Sequence, residues 1–92
     1  MTFFETVKNS VTVKQAAEHY GCKVNRGDMI CCPFHDDRHP SMKLNEDYFY
    51  CFGCGTTGDV IDFVARLFGL SSYEAAKKLA YDFGMDPDKP PA

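Results

Sequence analysis

Cys32-Pro33-Phe34-His35 and, after a connector of fifteen residues, Cys51-Phe52-Gly53-Cys54-Gly55 decide how this chain is read. Each pair of ligand-type residues is separated by two others, giving one C-x2-H and one C-x2-C knuckle. Two intervening residues let a tight turn present both side chains to one ion at about 2.0–2.3 Å. Two such turns set face to face complete a tetrahedron. Cys32, His35, Cys51 and Cys54 are therefore the expected ligands of one Zn2+ ion. Four protein ligands leave no position for water, so the expected zinc is structural rather than catalytic. Cys31 competes with Cys32, but neighbours in a strand point to opposite faces, so only one can reach the ion. Cys32 preserves the two-residue spacing, which leaves Cys31 as a small core residue. Cys22 lies far from both knuckles and is expected to be buried or free.

The remaining composition suits a zinc-stabilised module. The chain has 92 residues, a size at which a hydrophobic core alone is marginal and a metal often completes the fold. The first residues, Met1-Thr2-Phe3-Phe4-Glu5, lack the basic and apolar regions of a signal peptide, and no apolar run spans a bilayer. A reducing, cytoplasmic setting with no membrane contact is expected, which favours thiolate–metal chemistry over disulfides among the five cysteines. The formal charge is −3, and one Zn2+ with three thiolates would take it to −4. Any nucleic-acid contact is therefore expected to be local and modest in strength. No nucleophile stands near a base, and no catalytic residue or activity is expected from these residues alone. The acidic pairs Asp36-Asp37 and Glu46-Asp47 read as solvated loop tips rather than a magnesium cluster. His19 and His39 read as surface residues.

Outward from the knuckles, periodicity and capping signals mark the elements. Phe3, Phe4, Val7 and Val11 recur at helical spacing. Thr12 and Gln15 form a capping-box pattern, and Val13, Ala16, Ala17 and Tyr20 share one face, which predicts a helix over 12–20 stopped by Gly21. Lys23-Val24-Asn25 reads as a strand, Arg26-Gly27-Asp28 as a turn and Met29-Ile30-Cys31 as a strand entering the first knuckle. Residues 41–44 and 48–51 read as a hairpin around Asn45-Glu46-Asp47, delivering the second knuckle beside the first. Gly55-Thr56-Thr57-Gly58 reads as a loop. Val60, Phe63, Val64, Leu67 and Phe68 stripe a helix begun by Asp59 and ended by Gly69. Ser71 and Glu74 cap a last helix carrying Ala76, Leu79, Ala80 and Phe83, with Gly84 as its stop. The expected fold is a small α+β zinc ribbon packed by flanking helices over residues 1–85. Residues 86–92 read as a proline-rich tail or the start of a linker.

The surface most open to a partner is the hairpin, where Tyr48, Phe49, Tyr50 and Phe52 stand near Lys23, Arg26, Arg38 and Lys43. Aromatic faces stack on unpaired bases while cations meet phosphates, so single-stranded DNA is the expected ligand. The candidate DNA contacts are Lys23, Arg26, Arg38, Lys43 and Phe49, although strand alternation turns Phe49 away from Tyr48 and Tyr50. Residues 23–54 hold four Lys/Arg against five Asp/Glu, so the patch is not strongly basic.

Taken together, Cys32-Pro33-Phe34-His35, Pro40-Ser41, Cys51-Phe52-Gly53-Cys54-Gly55 and Gly58-Asp59-Val60-Ile61-Asp62-Phe63 resemble the N-terminal zinc-binding domain of bacterial DnaG-type DNA primases. The resemblance runs from about Val11 to Met85. It implies a zinc ribbon tethered by a linker to a primase catalytic domain, with Cys32, His35, Cys51 and Cys54 as the ligands. It further implies recognition of initiation sites on the single-stranded template, for RNA primer synthesis in DNA replication. Met42 after Pro40-Ser41 and Asp28 before the first knuckle stand where the family commonly has aromatics. The alternative is a stand-alone primase-like zinc protein that docks onto a catalytic or other replication protein.

Overall fold

The first turn of each described helix is closed by the side chain just before it. In the computed structural model, which describes residues 2–34 and 39–84, Thr2 accepts from Glu5 N–H at 3.2 Å and opens α1 (Phe3–Ser10). The expected box of Thr12 with Gln15 forms in both directions, at 3.0 and 2.9 Å, and opens α2 (Val13–His19). Ser71 and Glu74 do the same for α4 (Ser72–Asp82). Asp59 and Asp62 form a further reciprocal box at α3 (Val60–Phe68), and Gly69 ends that helix at φ 67°. Each such cap satisfies backbone N–H groups that no helical carbonyl can reach and contributes about 1 kcal/mol.

Between α2 and α3 lies one antiparallel sheet, β1 (Met29–Ile30), β2 (Met42–Leu44), β3 (Phe49–Cys51) and β4 (Thr57–Gly58), in the order β1-β2-β3-β4. The expected hairpin is β2 with β3, in the register Met42 opposite Cys51, Lys43 opposite Tyr50 and Leu44 opposite Phe49. Two sequence expectations change here. Thr57–Gly58, expected as loop, pairs with Phe49 and Tyr50 as the fourth strand. Lys23-Val24-Asn25 forms no strand. Instead the Asn25 side chain folds back, accepting from Gly27 N–H at 2.9 Å and Met29 N–H at 3.0 Å, while Asp28 takes φ 58°. An Asx turn thus competes with the sheet for those backbone donors and wins them.

Pleating sends Met42, Leu44, Phe49 and Cys51 into the core and leaves Lys43 and Tyr50 on the other face. Phe49 and Phe63 are fully buried, and with Phe34 their rings meet at centroid distances of 5.6–5.9 Å. Val7, Val13, Val64 and Leu79 close the same core, so α1, α2, α3 and α4 share one interior with the sheet. Two polar clasps hold the helices at the rim. Lys8 pairs with Asp59 at 2.9 Å, joining α1 to the start of α3. Tyr20 donates to Asp82 at 2.7 Å, joining the end of α2 to α4.

The junction of β4 with α3 admits no side chain at Gly58. A Cβ there would lie 2.6 Å from Asp62 Cβ and 2.7 Å from its carboxylate, the group that closes the α3 cap. Gly58→Ala is expected to cost about 1–3 kcal/mol by overpacking and by loosening that cap. Urea unfolding of the zinc-loaded protein measures it, and an unchanged midpoint would show that the junction relaxes freely.

Candidate metal centre

The chain enters the first knuckle directly from β1, and alternation continues past its end: Ile30 is buried, Cys31 exposed and Cys32 buried. Cys31 is therefore not the core residue expected of it, because the inward slots on either side belong to Ile30 and Cys32. Cys51 closes β3 with no exposed surface. The chain then turns through Phe52-Gly53-Cys54. Gly55, at φ 77°, returns its N–H to the Cys51 carbonyl at 2.8 Å, and Cys51 N–H reaches the Thr56 carbonyl at 2.8 Å. Phe52 N–H donates to the Ser41 carbonyl at 2.7 Å, fastening the second knuckle to the strand beside it.

The result is a cluster. The sulfurs of Cys32, Cys51 and Cys54 all lie within 4.8 Å of one another, and those of Cys32 and Cys54 are 3.9 Å apart. A disulfide would need about 2.05 Å. A tetrahedron of sulfurs about 2.3 Å from a central zinc has an edge of about 3.8 Å, so the spacing fits a shared ion. Burial pushes the Cys32 thiol up to about 12, with the neighbouring Cys51 and Cys54 adding to the rise and a hydrogen bond from Phe34 N–H opposing it. Without metal the buried thiol is protonated at neutral pH. A dication is what makes three crowded thiolates tolerable there.

His35 and Arg38, the expected fourth ligand and one expected DNA contact, lie outside the described residues. Of the other expected DNA contacts, Lys23 and Arg26 are exposed, and Lys43 Nζ donates to the Gly27 carbonyl at 2.7 Å. Phe49 requires a correction: its ring is fully buried and meets Phe34 and Phe63, so it offers no surface to a base. The exposed rings are its neighbours Tyr50 and Phe52, whose centroids are 5.1 Å apart. Glu46, Asp47 and His39 are exposed, and half-buried Cys22 packs against the core.

Residues 1–90 match the family model described as the CHC2 zinc finger, the zinc ribbon of DnaG. The chain belongs to the CHC2 zinc finger family. Relatives include the DNA primase of Rickettsia felis, 35% identical over 91 residues, spanning 95% of this chain and 15% of that protein. The DNA primase of Helicobacter pylori strain J99 is 37% identical over 83 residues, or 88% of this chain and 13% of that protein. Among solved structures, the zinc-binding and RNA polymerase domains of the Aquifex aeolicus primase superpose with a TM-score of 0.76 at 30% identity. That match covers 99% of this chain and 24% of the solved one. This CHC2 zinc finger thus corresponds to a primase zinc module, spans about a seventh of the curated relatives' length (15%), and holds one structural zinc. No described helix is long and apolar enough to cross a membrane.

A structural zinc in a small module supplies on the order of 10 kcal/mol of folding free energy at neutral pH. Chelation is therefore expected to unfold at least the ribbon, with loss of the far-ultraviolet circular dichroism of the folded protein. A full spectrum after complete zinc removal would contradict it. Because the buried thiol gives up its proton, zinc binding is also expected to release protons and to tighten as pH rises. Calorimetry in buffers of different ionisation enthalpy detects that release.

Proposed function

We propose that this zinc finger is the template-reading module of a DNA primase, holding its zinc through Cys32, His35, Cys51 and Cys54 and meeting single-stranded DNA with the outer face of its sheet. One observation carries the reading. Lys43 and Tyr50 stand opposite each other on the solvent side of β2 and β3, and Tyr50 lies edge-on to Phe52. Rings of that kind accept unpaired bases of any sequence, and a cation one strand away is within reach of the adjoining phosphate. The bond from Lys43 to Gly27 brings the Arg26-Gly27-Asp28 turn to the same edge. Lys23, Arg26 and Lys43 join none of the ion pairs among the described residues, whereas Lys8, Lys14 and Lys78 are each matched to an aspartate. The protein's acidic balance therefore coexists with exposed positive charge at Lys23 and Arg26, while Lys43 is held at the Gly27 carbonyl.

In this reading residues 1–85 are one domain and the proline-rich residues 86–92, outside the described ones, begin a linker to a catalytic domain. The Aquifex aeolicus chain, with its zinc-binding and RNA polymerase domains, supports that arrangement. The module itself has no catalytic role and works in the cytoplasm, beside the template. A second reading, docking onto a catalytic or other replication protein with little DNA contact, is favoured by the net charge of −3 and by Tyr73 and Tyr81, exposed on α4.

Titration of the zinc-loaded protein against a fluorescent single-stranded oligonucleotide separates the two. Template reading predicts binding that falls with salt with a logarithmic slope no steeper than about −2, three phosphate contacts at most. Tyr50→Ala is expected to weaken it by roughly 1–3 kcal/mol. Equal affinity for duplex, or no binding at low salt, would favour docking instead.

A further inference from the structure

Three thiolates on one Zn2+ leave a net negative charge on the sulfurs, and the hydrogen bonds they accept govern how firmly they stay on the metal. Each of the three clustered sulfurs has a donor. Cys32 accepts from the Phe34 backbone N–H. Cys51 lies 3.5 Å from the Ser41 hydroxyl, and Cys54 lies 3.0 Å from the Thr56 hydroxyl. A zinc-bound cysteine has lost its proton, so in both hydroxyl pairs the oxygen must be the donor.

Cys54 is the vulnerable member. Cys32 and Cys51 are buried, but Cys54 is exposed, and a competing ligand or chelator meets it first. Thr56 is half-buried and its carbonyl is held by Cys51 N–H at 2.8 Å, so its hydroxyl is carried by backbone tied to a second cysteine of the cluster. The geometry points to Thr56 as a positioning residue for the zinc centre: its hydroxyl donates to the Cys54 thiolate, blunts that sulfur's reactivity and slows zinc loss. Ser41 does the same, over a longer distance, at Cys51. This rests on Cys54 being a zinc ligand, as proposed above.

The test follows zinc transfer from the loaded protein to excess chromophoric chelator at one fixed pH. Thr56→Val keeps the shape and removes the hydroxyl, and is expected to release zinc about tenfold faster with an unchanged circular dichroism spectrum of the loaded form. Thr56→Ser restores the hydroxyl and is expected to match the unsubstituted protein. Should Thr56→Val fail to fold with zinc, Thr56→Ala makes the same comparison. Release from the valine or alanine variant at the unsubstituted rate, or from the serine variant as fast as from valine, overturns the role of Thr56. Cys54→Ala tests the ligand assignment separately. Its expected result is loss of tight zinc binding, and retention of zinc at the unsubstituted affinity would overturn that assignment and this inference together.

Discussion

Everything in the ribbon half of the molecule depends on three sulfurs from two distant knuckles sharing a space under 5 Å across. That arrangement is unfavourable without a cation, since crowded thiols have little to gain from one another and crowded thiolates repel. One divalent ion reverses the sign of the interaction. It also does what a core of this size does poorly, pinning β1 and the end of β3 together across a connector of fifteen residues. The sheet itself is too small to hold that register alone, with two or three residues in each strand.

The helical half is held by different physics, and three aromatic rings sit where it meets the ribbon. Phe34 belongs to the first knuckle, Phe49 to the hairpin and Phe63 to α3, and their rings form a single contact triangle. Metal geometry and apolar packing are coupled through these rings. The same pleat that buries Phe49 beside Cys51 turns Tyr50 outward. One strand thus carries a clustered sulfur, Cys51, on its buried face and an exposed ring, Tyr50, on the other.

Much of this was legible in the chain because it rests on local chemistry. The two-residue spacing of Cys51 and Cys54 reports a turn geometry, and Thr12 with Gln15 and Ser71 with Glu74 report hydrogen bonds spanning three residues. The failures have different causes. Thr57–Gly58 is a strand only because β3 offers it an edge, and two residues carry no period of their own. Lys23-Val24-Asn25 carries strand-like residues, yet the Asn25 side chain takes the amides of Gly27 and Met29 and closes a turn there. Cys31 was expected inside on the strength of its residue type. Alternation from Ile30 placed it outside, and the same alternation argued against Phe49 as a contact. Where residue type and pleat disagreed, the pleat decided.

The two-residue edge strands, β1 and β4, have one more consequence. An open sheet advertises unpaired amides and carbonyls along its outermost strands, and long edges recruit strands from other molecules. Here each edge is too short to template such an addition, and α3 follows β4 after a single residue. The fold therefore carries its own protection against intermolecular β-aggregation, even when many copies are crowded together.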